Sequence, residues 1–131
     1  MESNDTNGKI IYKELSYQIN GLLFKIHNEL GRYCKEKQYG DALATVLEEA
    51  GVSFAREKGL PIKMVSNPNT NRSDFVIEDK IAIELKAKPV VSREDYDQMQ
   101  RYLQAGGYKL GLLVNFRNKY LHPIRVIRLN S

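Results

Sequence analysis

The order of patterned segments predicts an α/β fold, a mixed sheet of four to five strands flanked by helices. Three observations carry that expectation. Two early stretches repeat apolar residues at helical spacing, and a central hairpin alternates with period two. After it, a capped helical stretch leads into a near-continuous apolar run suited to a strand buried on both faces.

Helical spacing runs through residues 10–30, where Leu15, Ile19, Leu22, Leu23, Ile26 and Leu30 form one stripe and Gly31 supplies the stop. A second helical stretch covers residues 35–50, with Ala42, Leu43, Val46 and Leu47 apolar and Gly51 at its end. Residues 52–54 and 60–65 are short and β-prone, which suggests strands or an irregular hairpin around Lys58-Gly59. Residues 66–73 are polar and turn-rich and read as a loop. Strands are expected at 74–77 and 80–87, joined tightly through Glu78-Asp79. Ser92, with Asp95 three residues on, has capping-box spacing and opens a helix that ends at Gly106-Gly107. Residues 108–116 hold the doubly buried strand and residues 124–129 the last one. Residues 1–9 read as a polar tail, and residues 10–131 as one domain.

Composition narrows the class. A hydrophobic share of 42% supports one core, and 27% charged residues suit a well-solvated surface. No apolar run nears the roughly 18 residues that span a bilayer, so no membrane association is expected. The polar, acidic start does not fit a secretory signal, and cytoplasm is the expected compartment. The single cysteine, Cys34, excludes an internal disulfide and a cysteine-rich zinc site. A net charge of +4, from 20 Lys and Arg against 16 Asp and Glu, is compatible with a polyanionic partner without demonstrating one.

The hairpin carries the chemistry. Side chains alternate across a strand, so Phe75 and Ile77 share one face, as do Ile81, Ile83 and Leu85 on the next strand. Burying this set together requires Phe75 opposite Ile83 and Ile77 opposite Ile81, since a one-residue slip would split it between faces. That register sets Asp74 across from Glu84, about 5 Å apart at Cβ, with Lys86 two residues on. Like charges so placed destabilise a sheet, and a divalent cation between them removes that cost. Such an ion polarises a phosphate and acidifies a water, while Lys86 can orient that water or steady transition-state charge.

Asp74 followed by Glu84-Leu85-Lys86 resembles the Asp-Xn-Glu-x-Lys signature of the PD-(D/E)XK nuclease superfamily. The chain is similar in particular to its small GxxExxY family, over about residues 10–128. The pieces that carry this are Glu36-Lys-Gln-Tyr39 with Ala42-Leu43, residues 76–87, Gln98-Met-Gln-Arg-Tyr102-Leu103, and residues 110–116. Ser73 stands where the signature has proline, and Tyr33 where the family has the glycine three residues before Glu36. The resemblance implies a restriction-endonuclease-like fold and Mg²⁺- or Mn²⁺-dependent hydrolysis of phosphodiester bonds in nucleic acid, DNA foremost. Asp74 and Glu84 would be the metal ligands and Lys86 the residue that positions or activates water.

Other positions keep two readings. Glu36 either completes the metal site, as a helix glutamate does in relatives, or is a first-turn acid favoured by the helix dipole. Gln98 and Tyr102 lie at i and i+4; they either contact substrate, as the similar Q-x-x-x-Y element of RecB-type nucleases does, or follow ordinary amphipathic spacing. Lys88, Arg93 and Arg101 either reach backbone phosphates or form a solvated basic face. His27, His122 and Cys34 read as structural. The alternative to an enzyme is a non-catalytic module that keeps the nuclease fold and binds nucleic acid or a partner. The small size also leaves open a homodimer or a place as subunit of a larger complex.

Overall fold

A computed structural model describes residues 10–60, 64 and 71–129. The elements are α1 (Lys13–Leu30), α2 (Glu36–Glu49), β1 (Phe54–Gly59), β2 (Arg72–Ile77), β3 (Ile81–Lys86), α3 (Arg93–Gly106), β4 (Leu110–Asn115) and β5 (Ile124–Ile127). The strands form one sheet in chain order, antiparallel throughout except for the parallel β3–β4 pair. A parallel neighbour needs a crossover connection, and α3 provides it.

The sheet has a helical layer on each face. Ile19, Leu23 and Ile26 of α1 and Tyr39, Leu43 and Leu47 of α2 pack on Phe75, Ile77, Ile81, Ile83, Leu85, Leu112 and Val114. On the other face Met99, Tyr102 and Leu103 of α3 pack on Val76, Ala82, Leu113 and Val126. Alternation along each strand produces this division, and Phe75↔Ile83 with Ile77↔Ile81 is the register expected from it. Ala82 pairs with Gly111, and this shallow spot lets α3 lie close. A Cβ on Gly111 would come within 2.5 Å of Met99 Sδ.

The β2–β3 turn is tight, with Glu78 and Asp79 both at positive φ, 54° and 53°, and the Lys80 N–H donating to the Ile77 carbonyl at 2.9 Å. Ser92 and Asp95 form the expected capping box: Ser92 Oγ accepts from the Asp95 N–H at 3.3 Å and Asp95 Oδ2 from the Ser92 N–H at 2.9 Å.

The expectation for residues 52–60 is corrected. Instead of turning at Lys58-Gly59, the chain continues through them as β1. Arg56, Glu57 and Lys58 are poor strand signals, but β1 is an edge strand with a solvent-facing side that tolerates charge. The expected β-prone segment beyond Leu60 and most of the 66–73 loop lie outside the described residues, as does the 1–9 tail. No helix among the described residues is long and apolar enough to cross a membrane.

Candidate active site

The β2–β3 ladder ends at Phe75↔Ile83, and beyond it side chains take over the strand-to-strand hydrogen bonds. The N–H of Asp74 donates to Glu84 Oε1 at 3.0 Å, and the N–H of Leu85 donates to Asp74 Oδ2 at 2.7 Å. Each carboxylate thus holds the opposite strand through one oxygen and keeps a second one. Ser73 is buried beneath them, its hydroxyl 2.9 Å from the Phe75 carbonyl and 3.1 Å from the Ile83 carbonyl.

These carboxyls resist ionisation. Burial pushes Asp74 above its ordinary value, and the charges of Glu36 and Glu57 add to this against the Leu85 amide and Lys86. Burial, followed by the Asp74 charge, pushes Glu84 up to about 7. A cavity of about 390 Å³ opens beside Asp74, bounded by Glu36, Lys37 and Gly40 of α2, Arg56 and Glu57 of β1, and Phe75 and Leu85. Arg56 projects along its wall, paired with Asp41 at 2.8 Å and with its guanidinium 5.4 Å from the Phe75 ring centre. Gly40 leaves room for that side chain, since a Cβ there would sit 2.7 Å from a guanidinium nitrogen.

Lys86 Nζ lies 3.8 Å from Glu84 Oε2 and 3.7 Å from Asp95 Oδ1. Asp95 also forms a close ion pair with Lys88. Burial opposes its ionisation, yet hydrogen bonds from Lys88 and Ser92, with the Lys86 charge, hold Asp95 down at about 2. Asn115, paired with Lys86 in the parallel ladder, fixes the chain just beyond β3. Its Oδ1 accepts from the Lys88 N–H at 3.2 Å and its Nδ2 donates to the Lys88 carbonyl at 2.7 Å.

The sequence model of the PD-(D/E)XK nuclease superfamily matches residues 13–127. The chain belongs to that superfamily. Members generally use divalent metal ions. A solved structure titled SSO0001 is similar at 20% identity and a TM-score of 0.54, over 92% of this chain and 59% of that one. An alkaline exonuclease, LHK-Exo from Laribacter hongkongensis, is similar at 15% identity and a TM-score of 0.47, over 65% of this chain and 52% of that one. The chain therefore spans a little over half the length of either. No curated protein matches the sequence.

The fold brings Asp74, Glu84 and Lys86, the residues expected from the sequence to form the site, together at one end of β2 and β3. Glu36 stands exposed at the first turn of α2 and lines the same cavity, where its charge reaches both carboxyls. Among the described residues, no three His, Cys, Asp or Glu side chains are grouped closely enough to hold an ion unaided. Tyr102 requires a correction. It is 2% exposed, its ring stacks on Tyr108, and its hydroxyl donates to the Lys58 carbonyl at 2.9 Å, so it belongs to the core under the sheet. The i, i+4 spacing it shares with Gln98 is also the spacing of a packing face, and Gln98 itself is only half-buried. Lys88 is engaged by Asp95 rather than pointing freely outward; Arg101 is exposed, and Arg93 pairs with Asp97 on the surface. Asp95 joins the site although its sequence signal is that of a helix cap alone.

Proposed function

We propose that the chain is a metal-dependent nuclease of the GxxExxY type, hydrolysing phosphodiester bonds in nucleic acid, with DNA as the first substrate to test. The observation that carries this reading is the carboxylate pair of half-buried Asp74 and buried Glu84, each anchored by one oxygen to a main-chain amide, with the second oxygen of Glu84 facing Lys86 at 3.8 Å. Their raised proton affinity marks a place short of positive charge. Hard cations such as Mg²⁺ or Mn²⁺ suit that donor set, with water and substrate phosphate filling the remaining positions. When bound, the ion supplies phosphate polarisation and a more acidic water.

The chain's own residues do the rest. Asp74 and Glu84 would hold the ion, and Glu36 would add negative charge from across the cavity. Lys86 donates to the attacking water or to a non-bridging phosphate oxygen. Asp95 and Glu84 bracket its ammonium so that it is delivered from a fixed direction. Asp95 is thus a positioning residue. Arg56 and Lys37 on the cavity wall offer cationic partners to flanking phosphates.

The test is purified protein with labelled single- and double-stranded DNA and RNA in Mg²⁺, Mn²⁺ or EDTA. Cleavage is expected with metal alone and is lost in Lys86→Ala while metal binding persists. A pure wild type that binds these substrates but leaves all of them intact would replace the enzyme with a binding module.

A further inference from the structure

Tyr33 is 75% exposed in the short link between α1 and α2, and two cations lie beside its ring. The Arg32 guanidinium lies 5.2 Å from the ring centre and that of Arg117 lies 5.6 Å away. Neither arginine is a loose surface group. Arg32 Nε donates to the Arg117 carbonyl at 2.8 Å and Arg117 Nε donates back to the Arg32 carbonyl at 3.2 Å. Arg117 also donates to the Ala87 carbonyl at 3.2 Å, and its own N–H to Asn115 Oδ1 at 3.3 Å. The link itself is braced from beneath by Tyr39, which donates to the Gly31 carbonyl at 2.6 Å and accepts from the Cys34 N–H at 3.1 Å.

The chain connects this cluster to the candidate active site at two places, and Arg117 reaches the first of them through the Ala87 carbonyl. Ala87 follows Lys86 directly, and Tyr33 lies three residues before Glu36. Both guanidiniums lie over the ring, yet the residue keeps 75% of its surface exposed. A solvent-exposed aromatic ring beside hydrogen-bonded cations suits a base with its phosphates, because any base can stack on such a ring. Bases in an intact duplex are already stacked and offer no such face.

We propose that Tyr33, with Arg32 and Arg117, is a stacking platform for an unpaired nucleotide, and that it biases the protein toward single-stranded nucleic acid. This deepens the nuclease reading and takes from it the location of the scissile phosphate. The platform places one unstacked base beside Tyr33 while the adjoining backbone runs toward Lys86.

The test is fluorescence anisotropy of a labelled oligothymidylate and of a duplex of equal length in EDTA, where cutting is blocked. Tyr33→Ala and Tyr33→Leu are expected to weaken single-strand binding by about tenfold and leave duplex binding unchanged. Tyr33→Phe and Tyr33→Trp keep a ring and should retain wild-type affinity, and circular dichroism should show all four folded. Equal loss on both ligands, no loss in Tyr33→Ala, loss in Tyr33→Phe, or a wild type that does not bind the single strand would each overturn the platform. Cleavage is scored separately, with Asp74→Ala as the inactive reference. A protein that discriminates in this way yet never cuts in Mg²⁺ or Mn²⁺ overturns the nuclease reading and leaves the platform standing.

Discussion

Asp74 and Leu85 are joined by a hydrogen bond in which the main-chain N–H of β3 donates to the carboxylate of β2 at 2.7 Å. The carboxylate therefore serves the sheet as well as the proposed ion, and substitution can separate the two roles. Asp74→Asn keeps an oxygen acceptor for the Leu85 amide but loses the charge. We expect it to fold with near-native stability and to lower metal-dependent cleavage by at least about a hundredfold. Asp74→Ala loses the acceptor too and should cost a further 1–2 kcal/mol, about the penalty of an unsatisfied amide. Urea denaturation beside a cleavage assay checks both, and equal stability of the two variants would remove the sheet role.

Glu84 predicts an inverted pH dependence. Its folded value of about 7 lies above the ordinary 4.5, so between these limits the native state binds more protons than the unfolded chain. Stability of the metal-free protein should then fall as pH rises from 4.5 to 7, by on the order of a few kcal/mol. Glu84→Gln should flatten that slope and stabilise the metal-free protein near pH 8. Mg²⁺ should raise the wild-type midpoint there and not that of the variant. Thermal melts from pH 4.5 to 8 decide it, and a wild-type curve that rises through this range would contradict the assignment.

Asp95 has the opposite sign. Its folded value of about 2 lies below the ordinary 3.8. Its contribution is thus complete above 3.8 and is lost as pH falls through 3.8 towards 2. Asp95→Asn should remove this part of the acid destabilisation. By freeing Lys86 it should also lower kcat about tenfold with unchanged metal affinity, the size of effect usual for a residue that orients a reacting group. Calorimetric metal titration alongside single-turnover kinetics would show it. A changed metal affinity would mean that Asp95 acts on the carboxylates instead.

Tyr102→Phe tests the corrected position of that side chain. The lost hydrogen bond to the Lys58 carbonyl should cost about 1 kcal/mol of stability, with KM and kcat unaltered. A rise in KM would return Tyr102 to the substrate.

The readable parts of the molecule were those in which one side of an element is buried. Burying Phe75, Ile77, Ile81, Ile83 and Leu85 together allows one register, so the approach of Asp74 to Glu84 follows from apolar residues alone. β1 lacked that constraint. Arg56, Glu57 and Lys58 sit on an edge with water beside it, and periodicity carries no information there. Tyr102 stayed open between its two readings because a helix face that packs and one that binds share the same spacing. Asp95 was concealed by having two roles, since a residue that satisfies a helix cap gives no sequence sign that its other oxygen meets Lys86.

The amide caps at the end of the ladder have a spectroscopic consequence. An N–H bonded to a carboxylate senses that group's charge directly, so the Leu85 and Asp74 amides carry the state of the two carboxyls into a nitrogen–proton correlation spectrum. Titrating acid or Mg²⁺ should move these two signals ahead of the rest of β2 and β3. Leu85 would follow Asp74 and the Asp74 amide would follow Glu84, which turns a coupled pair of protonations into two separately readable curves.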